Sequence, residues 1–291
     1  NVDELPNSGK AVSTSRSTTF PGGKGVNQAI GAARLGHPVS LIGKVGNDYD
    51  SALIYSAMKE NEVDIQGIGR DLCASTGKAY IHVQNDGEST ISILTGANQH
   101  VGSQDILDHE RLFENAGYCL LPTEIPDDAI EAAAKTAKKY GAGTILKPTL
   151  LEQIPNSILK NIDIFIPNRL EMAALCPGIN TLSQQADSFI RKGVHTVIIT
   201  LGHRGCFVKS ADNEHYYPAV DFVSVDNTGA ADAFIAALAS YLLYGYRLDE
   251  SVRIAGYAAG FCISRQGVVP ALIDRNSLET YIKKVEPDLL H

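Results

Sequence analysis

The sequence predicts an α/β protein: a three-layer fold with a mostly parallel central sheet between helices, plus a small β lid. Three observations carry this reading. Short continuous apolar runs recur at residues 39–45, 118–121, 144–146, 162–166 and 196–200, and runs of that length without polar alternation suit strands buried on both faces. Segments with helical apolar spacing separate them, at 50–61, 127–140, 151–160 and 183–192. Strand and helix alternating in this way build βαβ units. Finally, 291 residues with 44% hydrophobic and 20% charged side chains supply enough apolar matter for one large domain.

Taken in order, residues 1–20 are polar, with Thr, Ser and Val alternating and no helical period. They read as extended chain. The stretch Ala29-Ile30-Gly31-Ala32-Ala33-Arg34-Leu35 is a small-residue helix that Gly36 is placed to stop. Leu53, Ile54, Ala57 and Met58 give 50–61 one apolar helical face. Residues 78–94 read as strand, turn and strand, the turn being Asn85-Asp86-Gly87-Glu88. A second hairpin, 206–209 with 215–218 across Ala211-Asp212-Asn213, belongs at the far edge of the sheet. A β-like run at 221–225 then meets a tight turn and an apolar helix that ends before Gly245. No repeat, charge block or linker divides the chain. The expected organisation is an α/β core of 21–72 and 101–291 with a β lid of 1–20 and 73–100.

Composition excludes several function classes. Lys+Arg 25 against Asp+Glu 33 gives a net charge of −8, unsuited to a general nucleic-acid or anionic-membrane binder. Cys73, Cys119, Cys176, Cys206 and Cys262 are odd in number and widely spaced, with no C-x-x-C pair. They read as reduced thiols of a cytoplasmic protein rather than a disulfide frame or zinc site. No apolar run approaches the ~20 residues of a membrane span. There is no G-x-x-x-x-G-K-[ST], no G-x-G-x-x-G after a strand, no H-E-x-x-H and no G-x-S-x-G.

Two glycine-rich stretches remain. In Pro21-Gly22-Gly23-Lys24-Gly25-Val26-Asn27-Gln28, bare amides and a cation stand at a helix start, where an anionic or polyhydroxy group approaches closely. The plainer alternative is a glycine turn entering a packed helix. In Val225-Asp226-Asn227-Thr228-Gly229-Ala230-Ala231-Asp232, the amides of Gly229, Ala230 and Ala231 would form an anion hole at a helix N-terminus. Asp232 is either a charge favouring the helix dipole or a general base facing a phosphoryl group.

Together these stretches resemble the two signature motifs of the ribokinase-like (PfkB) family of carbohydrate kinases. The first, G-G-K-G-x-N-Q-A, is most similar to the ribokinase branch, and the second to the family's D-T-x-G-A-G-D loop. Asn168-Arg169-Leu170-Glu171 resembles the N-x-x-E motif linked to magnesium and phosphate, and Thr200-Leu201-Gly202-His203-Arg204-Gly205 the T-L-G-x-x-G turn that lines the nucleotide. The resemblance implies ATP-dependent phosphorylation of a primary hydroxyl of a small sugar, ribose first. Asp232 would be the base, with Gly229, Ala230 and Ala231 as the anion hole. Gly22, Gly23, Lys24, Asn27 and Glu124 would bind the sugar, and Asn168, Thr200, Gly202 and Gly205 the nucleotide. Glu171 would hold Mg²⁺ through water, and Asp226 would stand at a monovalent-cation site. It further implies a lid that serves as a homodimer contact. Other substrates of the same fold (a ketose, sugar acid or nucleoside) stay open, as does a sugar-binding regulatory pseudokinase.

Three departures from the family pattern qualify this. Ala231 stands for the last anion-hole glycine, which is tolerable at a helical φ and strained at φ > 0. Ala271 replaces a hydroxyl residue near the expected cation site, which argues against potassium activation. The family's opening strand, with an Asp among its sugar ligands, would precede Asn1.

Overall fold

Helices on both faces of a parallel sheet follow from how the strand side chains divide. The computed structural model describes residues 12–14, 17–83, 89–149 and 152–291. The expected turn at 85–88 and residues 1–11 therefore lie outside the described residues. The chain runs through α1 (Lys24–Arg34), β1 (Gly43–Gly46), α2 (Tyr49–Glu60), β2 (Ile68–Asp71), β3 (Lys78–Val83) and β4 (Ser89–Leu94). It continues through α3 (Ser103–Asp108), β5 (Tyr118–Pro122), α4 (Asp127–Lys139), β6 (Gly143–Lys147), α5 (Asn156–Leu159), β7 (Ile164–Phe165), α6 (Arg169–Leu175) and α7 (Leu182–Ile190). Then come β8 (Thr196–Thr200), β9 (Cys206–Ser210), β10 (Glu214–Tyr217), α8 (Ala230–Leu243), α9 (Leu248–Ile263), α10 (Val268–Ala271) and α11 (Arg275–Val285).

The main sheet is six-stranded, in the order β10-β9-β8-β7-β6-β5. β5 to β8 are parallel, and β9 and β10 add antiparallel at one edge, where the second hairpin was expected. Alternate side chains feed two cores. Leu146, Phe165, Val197, Ile199 and Phe207 join α4, α5 and α7 on one face. Ile145, Ile164, Ile198, Cys206 and Val208 join α8, α9 and α11 on the other. The period of two in a strand thus sets the three layers. A third cluster packs α1 and α2 against Ala233 of α8 and Leu272.

Outside the main sheet, β1 pairs with β2 in parallel and β3 with β4 antiparallel. Of the expected strand at 39–45, only the end enters a ladder. Ser40 makes an isolated bridge to Asp64 instead. Within 1–20, the described residues hold an isolated bridge at Thr14 and no longer strand.

Two local expectations are corrected. The helix expected at 151–160 is confined to α5, because Pro155 stands at its N-cap and proline bars helix in the residue before it. The β-like run at 221–225 pairs with no strand. The N–H groups of Val225 and Asp226 both donate to the Ile263 carbonyl, at 2.7 and 3.1 Å, so the segment hooks onto the end of α9 and leaves Val223 83% exposed. Gly36 ends α1 as expected, with φ 94°. Among the described residues no helix is long and apolar enough to cross a membrane.

The sheet core has a direct test. Phe165 is fully buried and its ring lies 4.5 Å from that of Phe189. Phe165→Ala should cost about 3–5 kcal/mol in urea unfolding. A loss under about 1 kcal/mol would mean this layer is not packed as described.

Candidate active site

The C-terminal ends of the parallel strands all open on one side, where open α/β sheets place their ligands. Glu124 follows β5, Lys147 ends β6, Asn168 follows β7 and Thr200 ends β8. The register is locked at these ends. Thr123 N donates to the Lys147 carbonyl (3.1 Å), and Thr149 N to Thr123 Oγ1 (2.8 Å). Asn168 bridges Thr200, while Thr200 N donates to the Pro167 carbonyl at 2.9 Å.

Above these ends the two glycine-rich stretches meet, although 205 residues separate Asn27 from Asp232. Asn27 Nδ2 donates to Asp232 Oδ2 at 2.8 Å and Gln28 Nε2 to Asp232 Oδ1 at 3.0 Å. Lys24 forms an ion pair with Glu124 at 3.1 Å. Gly22, Lys24, Asn27, Glu124, Gly229 and Asp232 line one cleft, with Tyr80 and His82 of β3 on its wall.

The local sequence explains the geometry. Gly23 is the N-cap of α1 with φ 98°, and open space lies where a Cβ would stand. Gly229 is the N-cap of α8 in the left-handed region, φ 82°, and a Cβ there would meet Val268 at 2.3 Å. No larger residue fits both its conformation and its neighbour. Ala231 lies inside α8, and Glu62 is the one described non-glycine residue with positive φ. The methyl is therefore tolerated, and the substitution that motivated a non-catalytic reading leaves the helix start undistorted.

The electrostatics are opposed and balanced. Asp232 is 5% exposed. Burial pushes its pKa above the usual carboxylate value, against the pull of the Asn27 and Gln28 amides and the Lys24 charge. For Lys24, burial penalises the ammonium, but the carboxylates of Glu124, Asp232 and Glu171 outweigh it and hold the pKa above the ordinary lysine value. Asn27 Oδ1 and Gln28 Oε1 are buried without a hydrogen-bond partner among the described residues. Such acceptors are costly to leave unmet.

Asn168 and Glu171 form a reciprocal cap on α6. Glu171 N donates to Asn168 Oδ1 at 2.8 Å and Asn168 N to Glu171 Oε2 at 2.6 Å. The same Glu171 oxygen accepts from Lys147 Nζ. Glu171 thus offers a hard oxygen donor of the kind magnesium takes, already half neutralised, which suits contact through water better than direct ligation. Gly202 and Gly205 shape the turn after β8 with φ 62° and 88°, but neither lines the sugar-side cleft. Asp226 is engaged by backbone amides, accepting from Thr228 N at 2.9 Å and Gly267 N at 3.2 Å. Ala271 is fully buried in the apolar cluster beneath α1.

Two residues of the site carried no assigned role in the sequence. Gln28 follows Asn27 at a helix start, so both side chains reach one target. Lys147 is a lone cation ending an otherwise apolar buried strand, a signal that was there to be used.

The chain belongs to the pfkB family carbohydrate kinases, which it matches over residues 1–275. Among its relatives, the ribokinase of Arabidopsis thaliana is 34% identical over 298 residues, covering 97% of this chain and 77% of that protein. The bifunctional ribokinase/ribose-5-phosphate isomerase A of Fructilactobacillus sanfranciscensis is 33% identical over 96% of this chain, which spans 53% of that longer protein. The structure of the Arabidopsis thaliana ribokinase complexed with ribose and ATP superimposes with a TM-score of 0.88 at 32% identity, covering 97% of this chain and 93% of that one.

With Asp232 as the group that takes the substrate proton, the amide clamp on it would set a pH dependence. Both amides stabilise the ionised carboxylate, so removing one raises its pKa further. Gln28→Met should therefore move the acid limb of the kcat/KM profile to higher pH, with the alkaline limb unmoved. An acid limb that stays in place would mean that Gln28 does not hold Asp232 in the working enzyme.

Proposed function

We propose that this carbohydrate kinase transfers the γ-phosphoryl group of ATP to the primary hydroxyl of ribose, with Asp232 as general base. The single observation that carries this is the contact of Asn27 and Gln28 with Asp232, which puts the glycine-rich helix start of α1 against that of α8. Gly22, Gly23, Lys24, Asn27 and Glu124 hold the sugar, with Lys24 and Glu124 meeting its hydroxyls as donor and acceptor. Asp232 takes the proton as the sugar oxygen bonds to the γ-phosphorus, and the bond to the β,γ-bridging oxygen breaks to release ADP. The amides of Gly229, Ala230 and Ala231 face the charge that builds on the transferring group. Asn168, Thr200, Gly202 and Gly205 hold the nucleotide. Glu171 would hold Mg²⁺ through water, and the ion supplies electrostatic stabilisation of the phosphates.

Potassium is not required in this reading. Asp226 is taken up by backbone amides, and Ala271 offers no oxygen on its side chain. Residues 1–20 and 73–100 act as a lid that closes over the sugar and excludes water. The register of β3 and β4 puts Ala79, Ile81, Ile91 and Ile93 on one face of that lid, with the three isoleucines exposed. These four residues also line the cleft, so closure over the sugar covers the stripe; a homodimer through the lid is what the family resemblance implies. The five cysteines are unpaired, which suits the reducing cytoplasm.

Coupled ADP release across a panel of pentoses, ketoses, sugar acids and nucleosides tests the substrate. Turnover should be highest with ribose, and binding of ATP with turnover of none would overturn the enzyme reading. Asp232→Asn should lower kcat by about 10²–10⁴-fold while ribose affinity stays within a few-fold. Retention of turnover within tenfold would remove Asp232 from the role of base.

A further inference from the structure

The site contains a buried cation that the proposed chemistry leaves unused. Lys147 ends β6 with its side chain 4% exposed. Its Nζ donates to the Pro148 carbonyl at 2.9 Å and to Glu171 Oε2. A reciprocal cap on α6 needs only Asn168 and Glu171. Burying an ammonium is costly, and a buried ion pair replaced as a whole by apolar side chains of similar volume is often neutral or stabilising. Packing therefore does not account for a lysine here.

The charges around it do. Lys147, Lys24, Glu171 and Asp232 act on one another among the strand ends and helix starts. Glu171 is 15% exposed and caps α6 from the loop that follows β7, beside Asn168 and Thr200, the residues read here as holding the nucleotide. A bare carboxylate there would repel the nucleotide.

We propose that Lys147 is a positioning residue, the internal counter-ion that pins Glu171 in its cap and screens its charge from the phosphates of the nucleotide. The proposal rests on the reading of Asn168, Thr200, Gly202 and Gly205 as the nucleotide site. It assigns Lys147 an effect on nucleotide affinity that passes through Glu171, with no part in holding the sugar.

Calorimetric titration of ADP in EDTA tests this without metal or turnover. Lys147→Met should weaken ADP binding about tenfold or more, with ribose affinity within twofold of the parent. Adding Glu171→Gln to Lys147→Met should restore ADP affinity to within about threefold, because no charge is left to screen. ADP affinity unchanged in Lys147→Met, or a double variant as weak as the single one, would overturn the proposal. Should Lys147→Met fail to fold, Glu171→Gln alone decides. It unmasks the Lys147 charge and should tighten metal-free ADP binding about threefold or more, and an unchanged or weaker affinity refutes the role. Failure of the parent protein itself to bind ADP would instead overturn the nucleotide reading.

Discussion

One buried carboxylate organises this molecule. Asp232 lies in the first turn of α8, where the helix dipole favours its charge but burial opposes it. The charge persists only if donors reach it, and the donors come from the far end of the sequence, through the amides of Asn27 and Gln28. That requirement fixes α1 against α8. It also explains the small residues where the two helices touch: a Cβ on Gly31 would stand 2.8 Å from that of Ala236. Helix packing and site assembly are thus one constraint.

The sheet converts this contact into a cleft. Four parallel strands end on the same side, each delivering a polar residue within three positions of its last buried aliphatic one. Leu121 is followed by Glu124, Leu146 by Lys147, Ile166 by Asn168 and Ile199 by Thr200. The apolar stretch anchors the strand in both cores, so the polar residue stays where the core places it. A site held in this way is preorganised by packing rather than by loop conformation.

Much of this was legible in the sequence because the signals are local and repeated. Strands β5 to β8 and helices α2, α4 and α7 follow from apolar period alone, and Gly36 marks the end of α1 through its left-handed φ. Motif resemblance identified Asp232, Lys24, Asn27 and Glu124, which the structure brings together. The failures share a cause. The run at 221–225 has strand-like composition, yet its amides find the Ile263 carbonyl, a partner that depends on where α9 ends. The helix expected at 151–160 overlooked what Pro155 forbids. Gln28 and Lys147 gained meaning only when Asp232 and Glu171 arrived beside them from distant segments. Periodicity reports what a segment does alone, and these residues act in pairs.

The net charge of −8 raises the question of how such a chain would receive a polyphosphate, and the site answers it locally. Around the strand ends Lys24 and Lys147 oppose Glu124, Glu171 and Asp232, which leaves a single excess negative charge there. Each carboxylate is also bound by a donor: Glu124 by Lys24, Glu171 by Lys147 and the Asn168 amide, Asp232 by two side-chain amides. The half-positive N-terminus of α8, with Gly229 turned into the left-handed conformation that starts the helix there, shares its field between Asp232 and any anion that approaches. Electrostatic attraction in a cleft depends on nearby unscreened charge far more than on the sum over the surface. An acidic protein can therefore hold a phosphoryl group, provided every carboxylate near it has a partner already.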